Sequence, residues 1–287
     1  MWIIYALASA FFAGLTSVLA KTGIKNTDSN LATALRTSVV LVFSWLSVFV
    51  AGSQTSLVNI DVRSVVFLVL SGLTAGGSWL CYFRALQLGD VNKVVPIDKS
   101  STVLTMLLSF LLLGEELTPV KIIAMILIGT GTYLMVEQKE TAESKVKGRK
   151  WLLYAVMSAV FASLTAISGK IGISGVESDL GTALRTVVIF IMTWLIVCIR
   201  GKHRGIRQID KRSRIYIGLS GLATGVSWMC FYRALREGPA SVVVPTDKLS
   251  ILITVAFGFF VFGEKLRKKA LFGLIMIVAG TLSLPVA

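Results

Sequence analysis

Mostly apolar stretches of about 20 residues alternate with short polar segments along all 287 residues of the chain. An apolar helix of about 20 residues is long enough to cross the hydrocarbon core of a bilayer. The pattern predicts ten such spans, five in each half. They cover approximately residues 2–20, 31–51, 63–86, 92–113 and 119–136, then 151–169, 180–200, 213–235, 241–262 and 270–286. We therefore expect an all-α membrane protein with ten transmembrane helices.

The composition agrees with a membrane protein. Hydrophobic residues make up 55% of the chain and the mean hydropathy is +0.79, whereas a soluble domain has roughly 45–50% apolar residues. The net charge of +14 would suggest nucleic-acid binding in a soluble protein, but most of the excess lies in loops between apolar stretches. This placement is typical of contact with anionic lipid. We expect the lipid bilayer, and not nucleic acid, as the partner of the basic residues.

The residues present do not predict catalytic or metal chemistry. The three cysteines lie inside apolar stretches and lack the spacing of metal ligands. The single histidine, His203, lies in a basic loop, which leaves neither a histidine-based metal site nor a serine–histidine–aspartate triad. The sequence has no Gly-rich phosphate loop, which argues against ATP-driven transport. We predict a protein that is not an enzyme and that uses no cofactor or metal.

The two halves of the chain are copies of one another. Shifted by 149 residues, the sequence aligns with itself without a gap from Trp2 to Gly131. We place the first five-helix repeat at residues 1–137, a polar cytoplasmic linker at 138–150 and the second repeat at 151–287. Because five is an odd number, the second copy must start on the opposite side of the membrane from the first. Inverted repeats of this kind are an architecture of secondary transporters.

Equivalent loops of the two copies differ in charge, and this difference agrees with the inversion. The segment 52–61 contains no Lys or Arg, whereas the segment 201–214, which begins at the equivalent position and runs four residues further, contains six: Lys202, Arg204, Arg207, Lys211, Arg212 and Arg214. Lys and Arg collect on the cytoplasmic side of a membrane. We therefore place the loops after the odd-numbered spans in the cytoplasm and both termini outside, in a multi-pass protein of the cell (inner) membrane.

An Asp-Lys pair follows a proline near the start of spans 4 and 9. Asp98 and Lys99 occur in the first copy, and Asp247 and Lys248 occur in the second. Charged residues within a span are costly, by about 2.5–3.5 kcal/mol at its centre. A proline also favours a broken helix, which is a frequent substrate or ion site in transporters. The alternative is a structural charge pair that locks the two copies together at the membrane edge.

Aromatic residues recur near the ends of spans 3 and 8. Trp79 and Tyr82 lie in the first copy, and Trp228 and Tyr232 in the second. Such residues are ordinary anchors at the membrane interface, but Trp and an aromatic residue on one helical face could also enclose an organic cation. The glycines that precede them at a spacing of four residues predict close helix packing. We expect the aromatic side chains to line the wall of a cavity.

One arginine lies about a turn and a half into spans 2 and 7, in the same Thr-Ala-Leu-Arg-Thr sequence. These residues are Arg36 and Arg185. Such a cation could contact an anionic group of the substrate or neutralise one of the two aspartates. It could equally extend toward the lipid headgroups.

These features together resemble the EamA family of the drug/metabolite transporter superfamily. The resemblance rests on the paired five-span repeats, the Leu-Arg pairs of spans 2 and 7, the Tyr-Phe-Arg-Ala-Leu stretch at 82–86, and the Gly-Glu pairs at 114–115 and 263–264. It implies a ten-helix fold whose central cavity is lined mainly by spans 3, 4, 8 and 9. Many relatives are taken to have both termini inside, whereas the charges of this chain place them outside.

The residues and the resemblance together predict a secondary transporter that works by alternating access. The expected substrate is a small organic metabolite, either amino acid-like or an organic cation. Asp98 and Asp247 are the candidates for substrate contact or for coupling, and proton coupling requires one of them to titrate. A flippase for a lipid or lipid-linked molecule is the alternative, since it would need only that the cavity open sideways to the bilayer.

Overall fold

The computed structural model describes residues 1–23, 27–88, 91–135, 150–262 and 268–286, and these ranges are almost entirely helical and contain no β-strand. The first half forms α1 (Trp2–Gly23), α2 (Ser29–Ala51), α3 (Val62–Leu88), α4 (Val91–Lys99), α5 (Ser101–Leu113) and α6 (Pro119–Met135). The second half forms α7 (Lys150–Ser174), α8 (Ser178–Ile199), α9 (Lys211–Glu237), α10 (Ala240–Asp247), α11 (Ser250–Phe262) and α12 (Lys268–Ser283). The prediction of an all-α protein is confirmed.

The helices have the length and surface of membrane spans. Among the described residues, seven helical segments are long and apolar enough to cross a membrane, and α6 is a shorter apolar helix. Large apolar side chains lie at the surface of several helices, including Phe49 (60% exposed), Ile123 (58%) and Phe260 (82%). Apolar surface of this extent would associate in water, whereas lipid tails solvate it. The chain is therefore a multi-pass integral membrane protein.

The fourth and ninth predicted spans are each interrupted soon after their proline. Ser100 separates α4 from α5, and Lys248 and Leu249 separate α10 from α11. At the second break the backbone N–H of Lys248 donates to the carbonyl of Pro245 over 2.9 Å, a spacing of three residues that tightens a helix end. The broken helices expected from the prolines are confirmed in both copies.

The helix boundaries repeat at the same interval as the sequence. α3 and α9 each have 27 residues, α5 and α11 each have 13, and both pairs start 149 residues apart. Two short 3₁₀ helices, Ser53–Asn59 and Lys202–Gln208, keep the same interval. Each follows a glycine with positive φ, at 72° for Gly52 and 65° for Gly201. Equivalent loops therefore have the same local conformation although one is uncharged and the other is basic.

The helices pack into two compact units, and each unit contains residues from both copies. The first unit comprises Met1–Leu73, Ser168–Gly238 and Ser250–Glu264, and the second comprises Thr74–Ile167, Pro239–Leu249 and Lys265–Ala287. Packing thus joins the copies to one another within each unit. The repeat boundaries at residues 137 and 151 stay a prediction.

Equivalent serines join the copies in each unit. In the first unit, the hydroxyls of Ser9 on α1 and Ser227 on α9 lie 3.3 Å apart. In the second unit, the hydroxyls of Ser158 on α7 and Ser78 on α3 also lie 3.3 Å apart. Ser158 is the copy of Ser9, and Ser227 is the copy of Ser78, each 149 residues along the chain. The first helix of each copy therefore packs on the third helix of the other.

Glycines allow close helix contacts inside the first unit. A Cβ atom added at Gly72 of α3 would lie 2.7 Å from the Cβ of Val188 on α8. A Cβ atom at the equivalent Gly221 of α9 would lie 2.7 Å from the Cβ of Val39 on α2. Only glycine permits this approach in a tightly packed helix pair. The packing role predicted for these two glycines is confirmed.

Candidate functional site

Asp98, the last residue but one of α4, is hydrogen-bonded to a serine of α7 within the second unit. Ser158 donates its hydroxyl to Asp98 Oδ1 over 2.6 Å, and its carbonyl accepts from the hydroxyl of Ser78 over 3.1 Å. Both serines are buried, whereas Asp98 is half-buried. An ionised carboxylate has about four acceptor positions, so Asp98 can accept hydrogen bonds from a polar group of a ligand in addition to the one from Ser158.

Tyr82 lies in the apolar cluster that adjoins this carboxylate. Tyr82 and Ile97 pack against a buried core made of Ala85, Val94 and Ala155. The ring is half-buried, as is that of Trp79 three residues earlier on α3. The second unit therefore brings Tyr82 close to the segment that carries Asp98. The side chain of Phe83 lies outside the described residues.

The other charged residues of the motif also lie at the helix breaks. Asp247 is the last residue of α10, Lys248 caps that helix, and both are half-buried. Lys99 ends α4 and is exposed. All of these charges therefore sit where the helical hydrogen-bond ladder is interrupted, and main-chain groups at such ends lack helical partners. Whether the aspartates bind a substrate stays a prediction.

Arg185 of α8 lies between two aromatic rings of α9 in the first unit. Its guanidinium carbon is 4.9 Å from the centre of the Tyr232 ring and 5.2 Å from that of Trp228, within the cation–π range of about 6 Å. Its Nε donates to Ser71 Oγ of α3 over 3.0 Å. Only 5% of Arg185 is exposed, so its side chain does not extend to the headgroups. The aromatic pair considered as an enclosure for an organic cation instead holds a cation of the protein itself.

Gly169 of α7 makes room for this cluster. A Cβ atom there would lie 3.0 Å from Cε1 of Tyr232 and 3.3 Å from Oγ of Ser71. Both distances are tighter than ordinary contacts, so a side chain would push the tyrosine or the serine away. Four helices, α3, α7, α8 and α9, therefore position the Arg185 cluster, which consists of Arg185, Ser71, Trp228 and Tyr232.

Arg36, the counterpart of Arg185 in the first copy, has a different environment. It lies in α2 and is half-buried. Within the described part of the chain, it makes no hydrogen bond, ion pair or ring contact. The equivalents of Trp228 and Tyr232 are Trp79 and Phe83. The two copies therefore differ in the exposure of this arginine and in one of the two aromatic residues at these positions.

Sequence reasoning missed two charged residues that tie elements together. Glu115 follows α5, and its carboxylate accepts from the backbone N–H groups of Ala240 (2.6 Å) and Ser241 (3.0 Å) at the start of α10. Lys170 of α7 donates to the carbonyl of Leu235 over 2.6 Å near the end of α9. Each charge complements the helix dipole it meets. The Gly-Glu pair at 114–115 was visible in the sequence, but its partner was not.

Comparison with known proteins identifies the family. The EamA-like transporter family matches residues 1–137 and 149–284. A Sinorhizobium protein named as an uncharacterized transporter is 42% identical over 138 residues, which are 48% of this chain and 98% of that protein. An uncharacterized protein of Methanocaldococcus jannaschii is 27% identical over 103 residues, which are 33% of this chain and 75% of that protein.

A crystal structure of a protein that is 16% identical aligns with a TM-score of 0.79, over 99% of this chain and 96% of that chain. At this identity the likeness shows the fold alone. The family match falls in two blocks that agree with the internal repeat. This chain is a membrane transporter, and it belongs to the EamA-like transporter family.

Proposed function

We propose that this protein is a secondary transporter that moves a small organic metabolite across the cell membrane. The mechanism is alternating access between two inverted five-helix repeats, residues 1–137 and 151–287, joined by residues 138–150, of which only Lys150 is described. The observation that carries this proposal is the Asp-Lys pair at the break of each interrupted span, α4–α5 and α10–α11. Discontinuous helices near the middle of a bundle form substrate and ion sites in secondary transporters.

Two contacts support the proposed ten-span topology. Lys202 Nζ lies 3.6 Å from Asp28 Oδ2 in the first unit, which joins the loops after the first and seventh spans. Glu115 meets Ala240 in the second unit, which joins the loops after the fourth and eighth spans. Loops separated by an even number of spans lie on the same side of a membrane, and both contacts agree with this requirement. The positive-inside rule then favours cytoplasmic basic loops and external termini.

Asp98 and Asp247 are the proposed substrate or coupling groups, with Lys99 and Lys248 beside them. An ionisable residue within a membrane span is expensive and commonly functional. The bond from Ser158 to Asp98 supports a role in the cycle, because such a bond can be exchanged for one to a substrate. If the carboxylates couple transport to protons, uptake depends on an imposed pH gradient.

The Arg185 cluster bears on the choice of substrate. Because Arg185 lies against both Trp228 and Tyr232, these rings are less suited to a second cation. A positive charge there favours a substrate with an anionic group, as amino acid-like molecules have, over an organic cation.

The test is uptake into proteoliposomes of labelled amino acids or of a labelled quaternary ammonium ion, with and without a pH gradient. Asp98→Asn and Asp247→Asn should strongly reduce amino-acid uptake while the protein elutes as a single species in detergent. Asp61→Asn, an exposed loop aspartate that undergoes the same chemical change, should transport normally. Normal transport by both span variants would contradict the proposed role, and failure of both to fold would favour the structural charge pair. Movement of fluorescent phospholipid without solute uptake would favour a flippase.

A further inference from the structure

The guanidinium of Arg185 uses only part of its hydrogen-bonding capacity. An arginine has five N–H donors, and the Nε donor is taken by Ser71 at 3.0 Å. Within the described residues, the two terminal nitrogens make no hydrogen bond or ion pair. These two nitrogens are also not among the side-chain atoms that are fully buried without a hydrogen-bond partner, so they keep some accessible surface. Four donors are therefore available to a ligand inside the first unit.

Among the residues that the structure describes, no carboxylate pairs with the charge of Arg185. Arg185 is seven residues from the start of α8 at Ser178, which is about 10 Å at 1.5 Å per residue, and only 5% of it is exposed. The rings of Trp228 and Tyr232 attract the cation through their π-faces but carry no net charge. Buried charges in membrane spans are normally paired or line a pathway. An anion would complete this environment.

We infer that Arg185, held by Ser71, Trp228 and Tyr232, binds an oxyanion group, a carboxylate or a phosphate, of the transported molecule. This inference rests on the proposed function. The planar guanidinium fork matches the two oxygens of such a group, and an ammonium does not. The aromatic rings beside it offer apolar surface to the organic part of the ligand.

The site is expected in one copy only. Arg36 lacks the ring and serine contacts that hold Arg185, within the part of the chain that is described. Tyr232 is replaced by phenylalanine at position 83 of the first copy. A single oriented arginine in a duplicated fold would bind one end of an asymmetric molecule.

Binding can be measured on the purified full-length protein in nanodiscs by thermal unfolding. The probes are phenylacetate, the neutral phenylacetamide of the same shape, and inorganic phosphate. Because a ligand that binds the folded state raises the apparent Tm, phenylacetate or phosphate should raise it and phenylacetamide should not. If neither anion shifts the Tm of the unmodified protein at high millimolar concentration, the inference is wrong.

Variants assign any shift to Arg185. Arg185→Gln should abolish it, and Arg185→Lys, which keeps the charge but loses the fork, should bind roughly tenfold or more weakly. The lysine variant also gives the answer if the glutamine variant does not fold. The matched control is Arg233→Gln on α9, which changes the residue next to Tyr232. The side chain of Arg233 is 48% exposed, and its Nε lies 3.6 Å from Glu237 Oε1. Equal affinity in Arg185→Lys and the unmodified protein, or equal loss in the control, would overturn the inference.

Changing the lipid of the nanodiscs distinguishes a soluble anion from a lipid headgroup as the ligand. A shift caused by a soluble anion in phosphatidylcholine nanodiscs, dependent on Arg185, supports binding of a solute. A shift caused only by added phosphatidylglycerol, with the same dependence, supports the oxyanion site but assigns it to a headgroup and points to a flippase. If Arg185-dependent binding persists while vesicles transport no solute, the proposed function fails and the anion site stands. If solute transport persists in Arg185→Gln with no anion-dependent shift in the unmodified protein, only the anion site fails.

Discussion

Replacement of Glu115 by glutamine tests a contact that joins elements 125 residues apart. The Glu115 carboxylate accepts from the first two backbone N–H groups of α10, of Ala240 at 2.6 Å and Ser241 at 3.0 Å. These N–H groups have no partner within their own helix. Glutamine has almost the same shape, but one of its two polar ends is an NH₂ group that would face an N–H donor. Glu115→Gln therefore removes the charge and one acceptor without creating a cavity.

The expected loss follows from these two bonds. Hydrogen bonds to a charged group contribute about 1.5–3 kcal/mol each, and loss of an N-terminal cap costs about 0.5–2 kcal/mol. Glutamine retains one acceptor, and the half-buried position of Glu115 weakens the electrostatic part. We expect the free energy of unfolding to fall by about 2 kcal/mol, which corresponds to a decrease in Tm of about 4–8 °C for a domain of this size.

The measurement is thermal unfolding in detergent, and Glu116→Gln is the matched control. Glu116 is exposed. Its backbone carbonyl accepts a hydrogen bond from Lys121 Nζ at 2.8 Å, and the substitution leaves this bond in place. Both variants remove one negative charge from the same loop, so a general charge effect would appear in both. Equal Tm values for the two variants would refute the capping role of Glu115.

Three further predictions concern a helix cap, a helix contact and the topology. The hydroxyl and backbone hydrogen bonds of Ser213 hold the pKa of Asp210 below its ordinary value. Asp210 should therefore raise the free energy of unfolding above that of Asp210→Ala, fully so above about pH 4. This difference between the two proteins should decline as the pH falls through the lower pKa of the folded state. A difference that stays constant at low pH would contradict the capping role of Asp210. Gly131→Ala should destabilise the protein by about 1–3 kcal/mol, because its Cβ would lie 2.6 Å from the Gly273 carbonyl oxygen, whereas Gly129→Ala, with its nearest contact at 3.4 Å, should have little effect on unfolding. In a cysteine-free background, a cysteine at Ser56 should react with an impermeant maleimide in intact cells and one at Gly205 only after permeabilisation; the reverse pattern would contradict the orientation.

The broken spans were predictable because their cause is local. Proline removes a backbone donor from its own helix, and a charged residue two positions later makes the site unusual for lipid. Both signals lie within five residues, and the sequence repeats them at Asp98 and Asp247. The repeat interval of 149 residues was likewise visible, and the boundaries of α3 and α9 follow it.

The Arg185 cluster was only partly predictable, because its residues come from several helices. The sequence identified Arg185, Trp228 and Tyr232 separately, but nothing local indicates that the arginine and the rings face one another. Ser71 gave no signal, since a serine in a span is commonly bonded to its own helix. The partner of Glu115 was hidden for the same reason, because α10 begins far along the chain.

The first helix of each copy packs on the third helix of the other copy, and this packing predicts how the separated halves behave. Ser9 packs on Ser227 in the first unit, and Ser158 packs on Ser78 in the second, so each half alone loses the contacts that the other supplies. Most backbone hydrogen bonds of each helix lie within that helix, so residues 1–138 and 139–287 should still insert when expressed separately. Neither half should transport alone, and co-expression should restore part of the activity, measured as substrate uptake into cells. Full activity from one half, without a crosslinked antiparallel dimer, would show that the exchanged contacts are not required.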